Sequence, residues 1–228
     1  MTITIQTPTN KLENSKSFYE RLGFKRISEE GPLAYTDGKA VIEVNPDRFA
    51  RAGIRCYKES WKDEVERLKE ITTITAIEGG HLLADASNVW IYLVEGAPSY
   101  TINPSMTSFS ALGNYAGLSL ETTDFKRSES IYKTIGFTLT SGGGEHPWAS
   151  FSKGEFTISL MGPMSCPHLF FNPSMTYFNG GKNLPVIEKI RSLEIPIAEE
   201  ITHFNKEGIV DNIIIRDPGG YGIFVFND

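Results

Sequence analysis

The sequence predicts an α+β protein built from four β-α-β-rich modules arranged as two pairs. Three observations carry this. A strand-helix segment recurs at a constant offset of 113 residues. The closing segments of the two halves, DASNVWIYLVEG at 85–96 and DPGGYGIFVFND at 217–228, align without gaps. Short alternating strands bracket every helical stretch.

The first module opens with Thr-Ile-Thr-Ile at 2–5, where alternation marks a half-buried strand. Its counterpart alternates Leu118 and Leu120. Each strand runs through a polar turn into an amphipathic helix. Leu12, Tyr19 and Leu22 share one face of the first helix, and Phe125, Tyr132 and Ile135 share one face of its repeat. Gly23 and Gly136 stand where a helix C-terminus calls for a left-handed residue, and Phe24 and Phe137 begin the next strand. DGKAVIEV at 37–44 then matches SKGEFTISL at 152–160, with a short insertion near Gly142 to His146 in the second copy.

The second and fourth modules follow the same plan. Strands 52–57 and 175–178 precede helices at 60–71 and 183–193, which place Trp61, Val65, Leu68 and Ile71, and Val186, Ile190 and Leu193, on single stripes. Asp85 and Asp217 open the turns before the last strands. The expected domains are 1–96 and 114–228, joined at 97–113 by a Pro-, Ser-, Thr- and Asn-rich linker or crossover.

The chain has 228 residues, enough for two domains of about 100 residues each. The formal net charge is -6, and no Lys/Arg cluster points to nucleic acid. No apolar run reaches the ~18 residues of a membrane span, and the N-terminus lacks signal-peptide character. Cys56 and Cys166 form neither a disulfide framework nor a zinc motif. A cytoplasmic monomer or homodimer with a small-molecule ligand is expected, with neither nucleic acid nor membrane as partner.

The FYERLGF segment at Phe18–Phe24, its repeat IYKTIGF at Ile131–Phe137 and the DPGGYGIFVF ending resemble the vicinal oxygen chelate superfamily, which includes glyoxalases, bleomycin-resistance proteins and extradiol dioxygenases. The likeness extends over nearly the whole chain. It implies βαβββ-type modules paired into two half-open mixed-sheet barrels, each cavity holding a divalent metal and a small substrate. The family's metal ligands are a His or Gln from the first strand and a Glu from the last strand of a module. Counting from the helix motif, the first-strand positions fall at Thr4, Gly53, Gly117 and Met175, and the last-strand positions at Glu43, Tyr92, Ser159 and Phe224. Only Glu43 is a metal-ligand type, with Gln6 two residues along its neighbouring strand; three protein ligands are the usual minimum.

No cofactor is therefore favoured, and a divalent metal is the alternative. Glu43 is the candidate catalytic group. The candidate ligand-binding residues are Tyr35, Arg55, Trp90 and Tyr92 in the first barrel, and Trp148, Ser159, Tyr177 and Phe224 in the second. His81, His146 and His203 are expected at the surface or in an outer layer. His168 reaches the mouth of the second barrel if its strand begins early. Cys166 and His168 share a side two residues apart but lack a third orienting group. Three readings follow: a metal-independent binder of a small apolar or aromatic molecule, a divalent-metal-dependent lyase, isomerase or dioxygenase using Glu43, or a non-catalytic scaffold with filled barrels.

Overall fold

The computed structural model describes residues 1–28, 31–103 and 105–227. The first half contains strands β1 (Thr2–Pro8), β2 (Lys25–Arg26), β3 (Leu33–Thr36), β4 (Val41–Asn45), β5 (Gly53–Lys58), β6 (Thr75–Ile77), β7 (Gly80–Ala84) and β8 (Trp90–Glu95). Its helices are α1 (Leu12–Arg21) and α2 (Lys62–Leu68). The second half repeats the order with β9 (Asn114–Glu121), α3 (Phe125–Ile135), β10 (Thr138–Gly142), β11 (Trp148–Lys153), β12 (Phe156–Met161), β13 (Ser174–Phe178), α4 (Asn183–Ser192), β14 (Ile197–Ile201), β15 (Asn212–Arg216) and β16 (Gly222–Phe226).

These strands form two eight-stranded mixed sheets, ordered β2-β3-β4-β1-β5-β8-β7-β6 and β10-β11-β12-β9-β13-β16-β15-β14. In each module the first and last strands run parallel, as β1 with β4 and β5 with β8. The two modules of a half meet through their antiparallel first strands, β1 with β5 and β9 with β13. Modules therefore pair with their sequence neighbours. Neither sheet closes on itself, which leaves each half open, as the fold class anticipated.

Alternation assigns the faces. Ile5, Ile42, Ile54, Cys56 and Ile91 join Phe18, Tyr19, Leu22, Val65 and Leu68 in the buried core beneath the helices. Thr4, Gln6, Glu43, Arg55 and Tyr92 have the opposite parity and line the helix-free face. Removing one such aliphatic side chain from water contributes roughly 1.5–3 kcal/mol, so this alternation decides which face turns inward. Helix ends follow the sequence: Gly23 (φ 84°) and Gly136 (φ 111°) occupy the left-handed region after α1 and α3. Asp124 caps α3 by accepting the Arg127 amide at 3.0 Å.

The halves interlock. One continuous core holds residues from both, and α2 packs against α3. The Tyr19 hydroxyl donates to Asp217 Oδ2 at 2.7 Å, and the Tyr132 hydroxyl donates to Asp85 Oδ2 at 2.8 Å. Residues 97–113 also differ from a free linker. The Ser105 amide donates to Gly38 O (2.8 Å), that of Phe109 to Asp37 O (2.7 Å) and that of Ala111 to Leu22 O (2.8 Å), which straps this segment against the first half.

Candidate functional site

On the helix-free face of the first sheet, Glu43 projects from β4 and is fully buried. Its Oε1 accepts three hydroxyls: Thr4 of β1 at 2.7 Å, Tyr57 of β5 at 2.6 Å and Tyr100 of the strap at 2.7 Å. Three O–H donors on one oxygen suit an ionised carboxylate. Arg55 Nε lies 3.4 Å from Oε2, and the Arg55 side chain is 22% exposed. Both atoms are buried, and among the described residues neither Glu43 Oε2 nor Arg55 Nε makes a hydrogen bond. The ion pair supplies attraction at 3.4 Å without an aligned hydrogen bond.

Surrounding groups fix this pair. Arg55 Nη1 donates to Gln6 Oε1 at 3.1 Å, Asn45 donates to the same oxygen at 3.2 Å, and the Gln6 amide nitrogen donates to Arg51 O at 2.9 Å. The guanidinium lies 5.6 Å from the Tyr57 ring centre and 5.8 Å from that of Tyr92. Burial, reinforced by the Glu43 charge, pushes the Tyr57 and Tyr100 hydroxyls well above the ordinary phenol range, so both remain donors.

The structure brings Glu43, Arg55, Tyr92 and Gln6 together, and half-buried Trp90 shares their face through its register with Gly53. Tyr35 does not belong with them. It sits on the helix side, its ring stacks 5.6 Å from that of Tyr19, and its hydroxyl donates to Glu20 at 3.1 Å. Tyr57 stands two residues beyond Arg55 on β5 and so shares its face. Tyr100 lies in a segment without hydrophobic period, so no sequence signal pointed it at Glu43.

The second sheet has no comparable charged centre among its described residues at the matching positions. Register places Ser159 beside Ser119 and Thr176 beside Gly117. Their surface is a run of hydroxyls: Ser119 with Thr176 at 2.7 Å and Ser150 with Ser159 at 2.9 Å. Phe224 shares this face but is covered by Phe170 (ring centres 5.1 Å apart) and Phe226 (5.2 Å, stacked). Trp148 stands at the rim, 43% exposed. Tyr177 and Met175 face the helix side instead. Tyr177 packs on Tyr115 and donates to Asp37 at 3.0 Å, and the inward residues of β13 are Ser174 and Thr176, one place from the expected position at Met175.

His168 lies over this end of the second sheet, with ring centres 5.2 Å from Phe204 and 6.2 Å from Phe226. Desolvation lowers its pKa. Burial pushes the Cys166 thiol up, the reverse of an activated nucleophile.

No family model matches the chain. A curated relative, filamentous hemagglutinin of Bordetella pertussis, is 31% identical over 116 residues, which is 51% of this chain but 3% of that protein's length. Solved structures share the fold at low identity. The dioxygenase LapB from Pseudomonas sp. KL28 (15% identity, TM-score 0.58) matches over 99% of this chain and 91% of its own. A homoprotocatechuate 2,3-dioxygenase mutant from Brevibacterium fuscum (14%, TM-score 0.61) matches over 99% and 70%. A catechol 2,3-dioxygenase (10%, TM-score 0.55) matches over 99% and 86%.

At 10–15% identity these neighbours show the fold, which this chain shares with solved dioxygenases. They also correct the expectation that no cofactor is involved, because dioxygenases of this superfamily are a class for which the sequence resemblance implies a catalytic metal. The donors at the expected positions do not assemble a metal cage, however. Among the described residues no three His, Cys, Asp or Glu side chains come together, and a guanidinium stands beside the one buried carboxylate of the first centre. Among the described residues no helix is long and apolar enough to cross a membrane.

Proposed function

We propose that the chain binds a small molecule on the helix-free face of the first sheet, with Glu43 and Arg55 as the polar anchor and Tyr92 and Trp90 as the flat apolar wall. One observation carries this reading: the buried carboxylate gathers Thr4, Tyr57, Tyr100 and Arg55 from two neighbouring strands and the strap. Burying such a group costs several kcal/mol unless it is compensated, so a purely structural role favours an apolar replacement of the same size. The neighbours support the reading at the level of the scaffold, since they are dioxygenases acting on small aromatic molecules by their names.

A thermal-shift screen of aromatic and polar small molecules tests it, run on the natural chain and on Glu43→Ala. Ligands that raise the melting temperature of the former and not of the latter support the site. A screen without shifts, or with shifts that Glu43→Ala retains, removes it.

A second reading, dioxygenase chemistry, is favoured by the same neighbours. Metal analysis of the purified chain, together with oxygen uptake in the presence of ferrous iron and a catechol, tests it independently. Stoichiometric iron with uptake supports it, and absence of both sinks it.

A further inference from the structure

The strap is held unevenly along its length. From Ser105 onward main-chain bonds fix it to the first half, and just before it the Gly96 amide donates to Lys58 O at 2.8 Å. Between these anchors, among the described residues, 97–103 make one hydrogen bond to the rest of the protein, from the Tyr100 hydroxyl to Glu43 Oε1 at 2.7 Å. Water can bond to this stretch without tethering it. Its exposure alternates: the odd-numbered residues of 97–103 are exposed, whereas Pro98, Tyr100 and Ile102 are half-buried. Such alternation marks an extended segment with one edge turned to the sheet. Ile102 nonetheless joins neither apolar core.

Resting on the proposed binding site, we infer that residues 97–103 are a lid over the Glu43 centre, latched by the Tyr100 hydroxyl, and that release of this latch admits the ligand. The full burial of Glu43 is then a property of the closed state. Closed, Tyr100 brings a third hydroxyl to an oxygen that already accepts those of Thr4 and Tyr57. Opened, Glu43 Oε1 keeps these two donors, Arg55 still faces Oε2, and the Tyr100 hydroxyl passes to water. The net cost of opening is modest, because no buried group loses its last partner and water replaces the bond that is broken. Lids come from the weakly held parts of a fold, with few apolar contacts and few main-chain bonds, and 97–103 is such a part beside the firmly bonded stretch from Ser105 to Ala111. The latch also lets a ligand compete for the same place: a hydroxyl or N–H on the bound molecule donates to the Glu43 oxygen that Tyr100 vacates.

Alkylation of an introduced thiol by iodoacetamide, on the whole chain and without any ligand, tests the inference. Thr4→Cys sets a thiol at the fully buried β1 position beside Glu43. Cys56, fully buried in the core on the helix side of the same sheet, reports opening of the whole fold. Peptide-resolved mass spectrometry follows both sites in Thr4→Cys and in Thr4→Cys with Tyr100→Phe added. Loss of the latch is expected to raise the alkylation rate of the introduced thiol by about tenfold or more, with Cys56 unchanged. An unchanged rate at the introduced thiol, or a rise that Cys56 shares, overturns the lid. Should Thr4→Cys not fold, Ile102→Cys, which turns its thiol toward the sheet, takes its place and is read in the same way. The labelling depends on no ligand, so its failure leaves the binding site standing, and the screen on Glu43→Ala decides that site separately.

Discussion

The Tyr132 hydroxyl on α3 donates 2.8 Å to Asp85 in the first half, and its repeat partner Tyr19 on α1 donates 2.7 Å to Asp217 in the second. The two bonds are reciprocal. Each aspartate is anchored from behind by backbone amides: Asp85 by Ser87 (2.7 Å) and Val89 (2.9 Å), Asp217 by Tyr221 (2.7 Å). Each tyrosine is fully buried. The same pair of residues that shapes a helix and a turn within a module thus ties the two halves together.

Tyr132→Phe is expected to destabilise the chain by about 1.5–3 kcal/mol, the range for a hydrogen bond to a charged partner whose acceptor stays buried. Tyr19→Phe should cost less, because Thr7 still donates to Asp217 Oδ2 at 2.6 Å. Urea midpoints of the two variants and the double variant check this; indistinguishable losses contradict the asymmetry.

Burial raises the carboxyl of Asp85 above its ordinary 3.8, and the donated hydrogen bonds only partly oppose that shift. Folding then takes up a proton between the unfolded and native values. The stabilising contribution of this group is complete below pH 3.8 and is lost as pH rises through the native value. Carbon-detected NMR titration should find Asp85 above 3.8, and a value below it reverses the sign.

Glu43→Ala orphans Thr4, Tyr57, Tyr100 and a half-buried guanidinium together. A loss of about 2–4 kcal/mol is expected, reduced from a fully buried pair by the exposure of Arg55. Glu43→Gln keeps an acceptor for the hydroxyls and should cost less than half as much. Equal losses measured by chemical unfolding point to packing rather than to hydrogen bonding as the role of this side chain.

Gly53 has no room for a methyl group. A Cβ there meets the Trp90 carbonyl oxygen at 2.0 Å in the neighbouring strand. Gly53→Ala should cost about 3 kcal/mol, since backbone rather than a movable side-chain tip must yield. A calorimetric melting temperature within a degree of the natural chain contradicts this crowding.

Much of this architecture was legible in the sequence, and the reasons are specific. Period-two alternation in TITIQ and VIEV marks two strands with one face turned from the helices, and counting from the helix motif onto the positions that the family resemblance implies sets Thr4 and Glu43 at one site, where they touch at 2.7 Å. The same logic failed where alternation is weak. Leu33, Ala34 and Tyr35 are all buried, so the strand does not announce its facing, and Tyr35 was placed on the wrong side. In β13 a one-residue slip moved Met175 and Tyr177 to the opposite face, the penalty that a period of two imposes. Tyr100 escaped because its position depends on how an aperiodic segment folds back over the sheet. Asp85 and Asp217 were recognised as turn residues, but their second carboxylate oxygens reach across to the other half, which no local pattern encodes.

The location of binding in the first sheet is tested most directly by titrating one ligand from the screen into three chains: natural, Glu43→Ala and Ser159→Ala. Loss of binding in Glu43→Ala with affinity unchanged in Ser159→Ala is the expected result. Binding retained in Glu43→Ala and lost in Ser159→Ala contradicts it, and moves the site to the hydroxyl-lined face of the second sheet.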